Sequence, residues 1–319
     1  MTDTPTSKPL PSWVEGPVKT AILAYVARVT AVDAPDFIPP PERIAVFDND
    51  GTLWPENPIP FQAAFIKDRL KEGIREHPGW LLEPAVQSAI KMDIPALVAD
   101  GHRGLLRLVA LTHSGMTTEA FTDRVNRWMH TARHPRWNRP YDACIFQPML
   151  ELLRYLRAHG FKTFIVSGGG ADFIRVWSER VYGIPPEQVV GSHGKVSFEV
   201  RDGEAIFHKS MDGIFVDDRE GKPVGIHQFI GRRPVLAFGN SDGDKAMLEY
   251  TTLGNPHPSL GLILHHTDAE REYAYDAEPR STGKLVEALA EAPERGWVVV
   301  DMARDWETVL IPDPAATGG

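Results

Sequence analysis

Ile44-Ala45-Val46-Phe47-Asp48-Asn49-Asp50-Gly51-Thr52 decides how this chain folds. Four apolar, partly β-branched residues follow Pro39-Pro40-Pro41 and run into an Asp-Gly turn. Such a run is the pattern of a parallel strand buried on both faces, and its C-terminal end carries two carboxylates, Asp48 and Asp50. Asp-Gly pairs are common turn formers, so these acids gain meaning only from what stands at the other strand ends.

Two further apolar runs end in polar clusters. Residues 164–167 close on Ser167 and Gly168-Gly169-Gly170, and residues 235–238 close on Gly239-Asn240-Ser241-Asp242-Gly243-Asp244. Residues 261–264 and 297–300 read as strands, and helices are expected over 148–159, 225–231 and 283–291. This alternation predicts an α/β fold, a doubly wound, Rossmann-like parallel sheet covered on both faces, with its ligand site at the carboxyl ends of the strands. Between the first two clusters the pattern changes. Residues 53–139 show helical apolar spacing without a convincing strand, which predicts an all-helical insertion. The expected division is therefore 1–52 (an extension with a helix over 21–32, then the first part of the core), 53–139 (helical insertion) and 140–319 (the rest of the core). Residues 195–207, KVSFEVRDGEAIF, resemble a hairpin turning at Asp202-Gly203.

Bulk composition narrows the function. With 42% hydrophobic and 24% charged residues the chain is an ordinary globular one. Its net charge of −9 disfavours nucleic acid as a partner, because displacing counterions from a phosphate backbone takes a basic face. Any phosphate it handles must be neutralised locally, by a metal and one or two placed cations. The single Cys144 excludes an intrachain disulfide and a cysteine-based zinc cluster. No apolar run behind a basic stretch and no run of membrane-spanning length is evident, so a cytoplasmic location is expected, without a membrane partner.

The clusters at Asp48, Ser167 and Asn240, taken with Lys222, resemble the four motifs of the haloacid dehalogenase superfamily in order, spacing and strand context. The hairpin and the helical insertion look like its phosphoserine phosphatase branch, in which such an insertion is a cap over the site. The resemblance implies a magnesium-dependent phosphatase acting on a small phosphorylated metabolite, with Asp48 as nucleophile and Asp50 as general acid and base. It assigns Ser167 and Lys222 to the phosphoryl group and the nucleophile. Asp48, Asp50 (through its carbonyl), Asn240 and Asp244 would hold Mg2+, and Thr52, Glu56, Gly168 and Gly169 would contact substrate.

The residue types make chemical sense on their own. A carboxylate approaching a phosphate ester is repelled unless a divalent cation and a lysine screen the charge. An acid two positions on can protonate the leaving alkoxide and later deprotonate the attacking water. Several points stay open at this level. Lys209 competes with Lys222, and Asp242 competes as a metal ligand. Trp54 and Glu56 read equally well as leaving-group contacts or as a packing aromatic and a loop acid. His265-His266 are set aside as an adjacent pair facing opposite ways. The fourth motif begins with an amide, Asn240, where the family has an acid, and an aspartate restored there is expected to tighten magnesium. Phosphoryl transfer to another hydroxyl, as in a phosphotransferase or mutase, and a non-catalytic phosphate-binding role remain as rival readings.

Overall fold

The computed structural model describes residues 8–91, 93–210 and 213–313. Strands β1 (Ile44–Phe47), β2 (Lys162–Gly170) and β3 (Val189–Ser192) come first in the main sheet. An antiparallel hairpin follows, β4 (Val196–Arg201) and β5 (Glu204–Lys209), and then β6 (Leu236–Gly239), β7 (Leu260–His265) and β8 (Val298–Asp301). The main sheet has the order β3-β2-β1-β6-β7-β8, with all its pairings parallel. The chain winds outward from β1 to β3 and returns to β6 on the other side of β1, so the strand order reverses at β1. That reversal opens a crevice at the carboxyl ends of β1 and β6.

Burial explains why β1 is apolar throughout. All four of its residues are buried, with Ala45 and Phe47 in the larger core and Ile44 and Val46 in the smaller one on the opposite face. The two-residue period of a strand sends alternate side chains to opposite faces, and both faces are covered. Helix α1 (Pro17–Thr30) closes the larger core, and its Tyr25 hydroxyl donates to the Val235 carbonyl at 2.7 Å. It begins four residues ahead of the expected start, with Pro17 in the first helical turn, where its missing N–H removes no bond.

Between β1 and β2 the structure places α2 (Phe61–Glu76), α3 (Pro84–Lys91), α4 (Ile94–His113) and α5 (Thr118–Thr131). These helices have a small core of their own around Ile66, Leu70, Val86, Leu97 and Leu108. The hairpin turns at Asp202 and Gly203, both with positive φ (55° and 84°), as a tight two-residue turn requires. It joins the helical insertion through Lys209 N–H to the Met116 carbonyl at 3.0 Å. The helix expected over 283–291 is displaced to Glu287–Arg295. Gly283 has φ of 88°, outside any right-handed helix, and the first turn instead begins where Asp242 accepts from the N–H groups of Val286 and Ala288. Cys144 is buried and free, and no described helix is long and apolar enough to cross a membrane.

Candidate active site

Each strand end contributes one wall. Asp48 follows β1, and its N–H donates to the Phe238 carbonyl of β6 at 2.9 Å, which fixes the backbone at the mouth of the crevice. Lys222, only 2% exposed, reaches in from the short helix Gly221–Gly225. Its Nζ donates to Asp48 Oδ1 and Asp244 Oδ1, each at 2.6 Å, and to the Val166 carbonyl of β2 at 2.9 Å. Burial alone would lower its pKa, but the carboxylates of Asp244 and Asp48 outweigh that and hold it above the ordinary lysine value. Two buried acids thus share one ammonium. Asp48 is accordingly pushed well above the carboxylate range by burial and by Asp244, against the pull of Lys222. Lys209 lies elsewhere, paired with Asp172 and set over the Phe121 ring.

The other oxygen of Asp244 accepts from the N–H groups of Asn240 and Ser241 and from Ser241 Oγ, at 3.0–3.1 Å. Asp244 therefore shapes the loop after β6 with one oxygen and braces Lys222 with the other. Asp242 caps the helix Glu287–Arg295 and faces away from this cluster of acids. Asp50 is held by the Trp54 indole N–H at 2.8 Å, and burial raises its pKa to about 6. Trp54 is itself buried, with ring centroids 4.2 Å from both Trp177 and Phe61, so it packs and positions Asp50 at once.

Ser167 Oγ accepts from the Gly169 N–H at 3.0 Å, which leaves the hydroxyl hydrogen free to donate. A side chain built on Gly169 would meet Ser167 Oγ, Gln62 and Asp50 Oδ2 at 3.2–3.5 Å, so these three surround one small space. The Gly170 N–H donates to Gln62 Oε1 at 2.7 Å, which brings the start of α2 to that rim. Gly168 lies beside Asp218. Gly51, with φ of 78°, turns the chain between Asp50 and Thr52, and any Cβ there would collide with Asn240 Nδ2 at 2.2 Å.

Thr52 and Glu56 do not face an open cleft. Thr52 is fully buried and donates to Asn240 Oδ1 at 3.1 Å. Glu56, 3% exposed, accepts from Asn240 Nδ2 at 2.7 Å, from the Tyr275 hydroxyl at 2.8 Å and from Thr282 Oγ1, and burial raises its pKa to about 7. The histidine pair does turn to opposite sides, but setting both aside misses one of them. His266 is buried, with Nε2 2.7 Å from the Gly51 carbonyl and Nδ1 2.9 Å from Glu272. Both of those oxygens are acceptors, so the ring carries two N–H groups and a positive charge. Glu272 keeps it charged in spite of burial, which by itself acts the other way. A segment running from His266 to Gly283 therefore braces the loop after Asp48. Its one sequence signal was that His266 directly follows a buried strand, as Asp48 and Asn240 do.

Among the described residues no three His, Cys, Asp or Glu side chains converge as a ready metal centre. The ends of β1 and β6 carry hard oxygen donors: the Asp48 carboxylate, the Asp50 carbonyl and Asn240 Oδ1. Lys222 alone does not balance the acids around them, and such a set suits a small divalent cation.

No curated protein matches the sequence. Among solved structures, the chain resembles a conserved, functionally unknown protein from Anaerococcus prevotii DSM 20548 (TM-score 0.51, 18% identity, 79% of this chain and 86% of that one). It also resembles a protein of unknown function from Bordetella pertussis Tohama I (TM-score 0.50, 18% identity, 82% and 99%). A phosphoserine phosphohydrolase-like protein from Francisella tularensis subsp. tularensis SCHU S4 is a looser match (TM-score 0.42, 16% identity, 79% and 98%). At these identities the likeness is one of fold. Residues 45–249, which take in the ends of β1, β2 and β6 and the lysine between them, match the haloacid dehalogenase-like hydrolase model, and the chain belongs to that family.

Proposed function

We propose that the protein is a magnesium-dependent phosphatase that hydrolyses a small phosphomonoester through an aspartyl phosphate on Asp48. The observation that carries this reading is Lys222, buried and bonded to both Asp48 and Asp244 at 2.6 Å, beside an aspartate whose pKa is raised to about 6. A lysine so placed offsets the repulsion between a carboxylate nucleophile and an anionic ester.

Lys222 engages Asp48 Oδ1, which leaves Oδ2 to attack phosphorus. As the P–O bond to the leaving group breaks, Asp50 passes its proton to the departing alkoxide. Asp50, now a carboxylate, takes a proton from the water that attacks the aspartyl phosphate, and inorganic phosphate leaves with Asp48 regenerated. Ser167 donates its hydroxyl to a phosphoryl oxygen. The oxygen donor set fits Mg2+: Asp48, the Asp50 carbonyl and Asn240 would hold it, with Asp244 ordering the loop. The cation, when bound, supplies positive charge against the nucleophile and the phosphoryl oxygens. The rim formed by Gln62 and Gly170 at the start of the helical insertion supports a small substrate.

The test is phosphate release from p-nitrophenyl phosphate and from a panel of phosphorylated metabolites with Mg2+. Activity is expected to vanish on chelation and to fall at least ~10³-fold in Asp48→Asn, as for loss of a covalent nucleophile. Absence of turnover with Mg2+ would leave the non-catalytic reading standing. A phosphorylated alcohol formed in place of inorganic phosphate, when an acceptor is added, would make the enzyme a phosphotransferase.

A further inference from the structure

Asn240 stands where the family places an acid, and the structure shows what it touches. Its Nδ2 donates to Glu56 Oε1 at 2.7 Å and its Oδ1 accepts from Thr52 Oγ1 at 3.1 Å. An amide nitrogen can only donate, so the group facing it must be an acceptor, and Glu56 fills that place. The Tyr275 hydroxyl and Thr282 Oγ1 also donate to Glu56. All three contacts come from donors, and a carboxylate is the group that offers them only acceptor oxygens.

The surrounding backbone is cleared for this contact. A Cβ on Gly51 would lie 2.4 Å from Glu56 Oε1, and one on Gly283 would lie 2.1 Å from the same atom. Segments far apart in the chain thus meet around one hydrogen bond.

We propose that Glu56 and Asn240 act as one acid–amide unit, in which Glu56 carries the negative charge missing from the end of β6 and orients the amide so that Oδ1 faces the cation. Glu56 is a positioning residue, acting through Asn240 one bond away from the metal. Turning the amide over would set Oδ1 against the carboxylate, so the contact locks the orientation. Hydrogen bonding to a carboxylate also draws charge toward Oδ1 and strengthens it as a ligand, as partners behind a metal ligand commonly do. The inference rests on the magnesium reading above.

One consequence adds to the expectation that an aspartate at this position tightens magnesium. Asn240→Asp alone sets a second carboxylate 2.7 Å from Glu56 Oε1, so it destabilises the metal-free protein. Exchanging the two groups, Asn240→Asp with Glu56→Gln, returns the charge to the strand end and restores a donor opposite it.

The experiment uses the full chain as wild type, Glu56→Gln, Asn240→Asp and the double variant. Mg2+ binding is measured by calorimetry, and thermal unfolding is followed with and without Mg2+. Glu56→Gln is expected to weaken Mg2+ at least about tenfold. Asn240→Asp should lower the melting temperature without metal, and the double variant should lose less Mg2+ affinity than Glu56→Gln does. A merely structural role would give losses that add in the double variant, and additivity overturns the unit. So does a Glu56→Gln protein that binds Mg2+ like wild type. Should Glu56→Gln fail to fold, recovery of the fold in the double variant supports the unit and failure to recover it overturns the unit. Wild type that binds no Mg2+ overturns this inference together with the magnesium reading, whereas normal wild-type binding with additive variants overturns this inference alone.

Discussion

The two sides of Asp48 are built differently. On one, Lys222 pairs with Asp48 and Asp244, so three charged groups meet in a buried space. On the other, Glu56 meets an amide, a phenol and a threonine hydroxyl, so one charge is held by neutral donors. Removing a group from the first side strands a buried charge, which is expensive because the interior cannot solvate it. Removing a neutral donor from the second side strands no opposite charge and loses a hydrogen bond and some orientation. The lysine side is therefore expected to govern whether the site exists, and the Glu56 side how well it holds its cation.

Asp50 lies between the two sides, and its loss gives the largest effect expected among the variants that follow. Asp50→Asn keeps the Trp54 contact through the amide oxygen but can neither protonate the alkoxide nor deprotonate water. Steady-state hydrolysis should fall ~10²–10⁴-fold, and phosphorylated enzyme should accumulate with substrates whose leaving group needs no proton. Rapid-quench detection of the acyl phosphate checks it, and unaltered hydrolysis would remove Asp50 from the mechanism.

Lys222→Met comes next, and it breaks the comparison where it is sharpest. With the ammonium gone, Asp48 and Asp244 face each other uncompensated, and the metal-free protein should lose about 3–5 kcal/mol of stability. Adding Mg2+ should return part of that loss, since the cation neutralises one of the two acids. Urea unfolding with and without Mg2+ measures both numbers. A loss below about 1 kcal/mol, the size of an exposed ion pair, would mean that the two acids are not held ionised.

The same division explains what could be read in the sequence. Asp48, Asp50, Asn240 and Asp244 follow buried strands and Ser167 ends the buried part of β2, and an apolar run ending in a turn marks such positions without knowledge of any partner. Lys222 came from resemblance, and only the fold shows its ammonium between two acids while Lys209 sits with Asp172. Glu56 could be seen but not understood. Its partners Tyr275 and Thr282 lie 219 and 226 positions away, on a segment without regular structure, where neither period nor spacing leaves a trace. Asp242 was ambiguous because its use as a cap depends on where the helix Glu287–Arg295 arrives. Gly283 reads as a helix start because neither its positive φ nor the close approach of Glu56 and Tyr275, which leaves no room for a Cβ, is recorded in composition.

Tyr275→Phe gives the smallest effect and separates charge from geometry on the Glu56 side. The ring stacks on His266 with centroids 4.4 Å apart, and phenylalanine keeps that contact. Only the hydroxyl's bond to Glu56 is lost, so stability should fall by about 0.5–1.5 kcal/mol. The bonds from Asn240 and Thr282 to the carboxyl group remain, so Mg2+ affinity should fall less than about threefold, the weight of a neutral hydrogen bond one contact removed. Calorimetric titration of Tyr275→Phe beside Glu56→Gln reads the difference. If the two variants lose the same affinity, the site depends on how the donors hold Glu56 and not on the charge that Glu56 carries. If they differ about as stated, the charge is the working part, and the neutral donors serve to keep it ionised and in place behind Asn240.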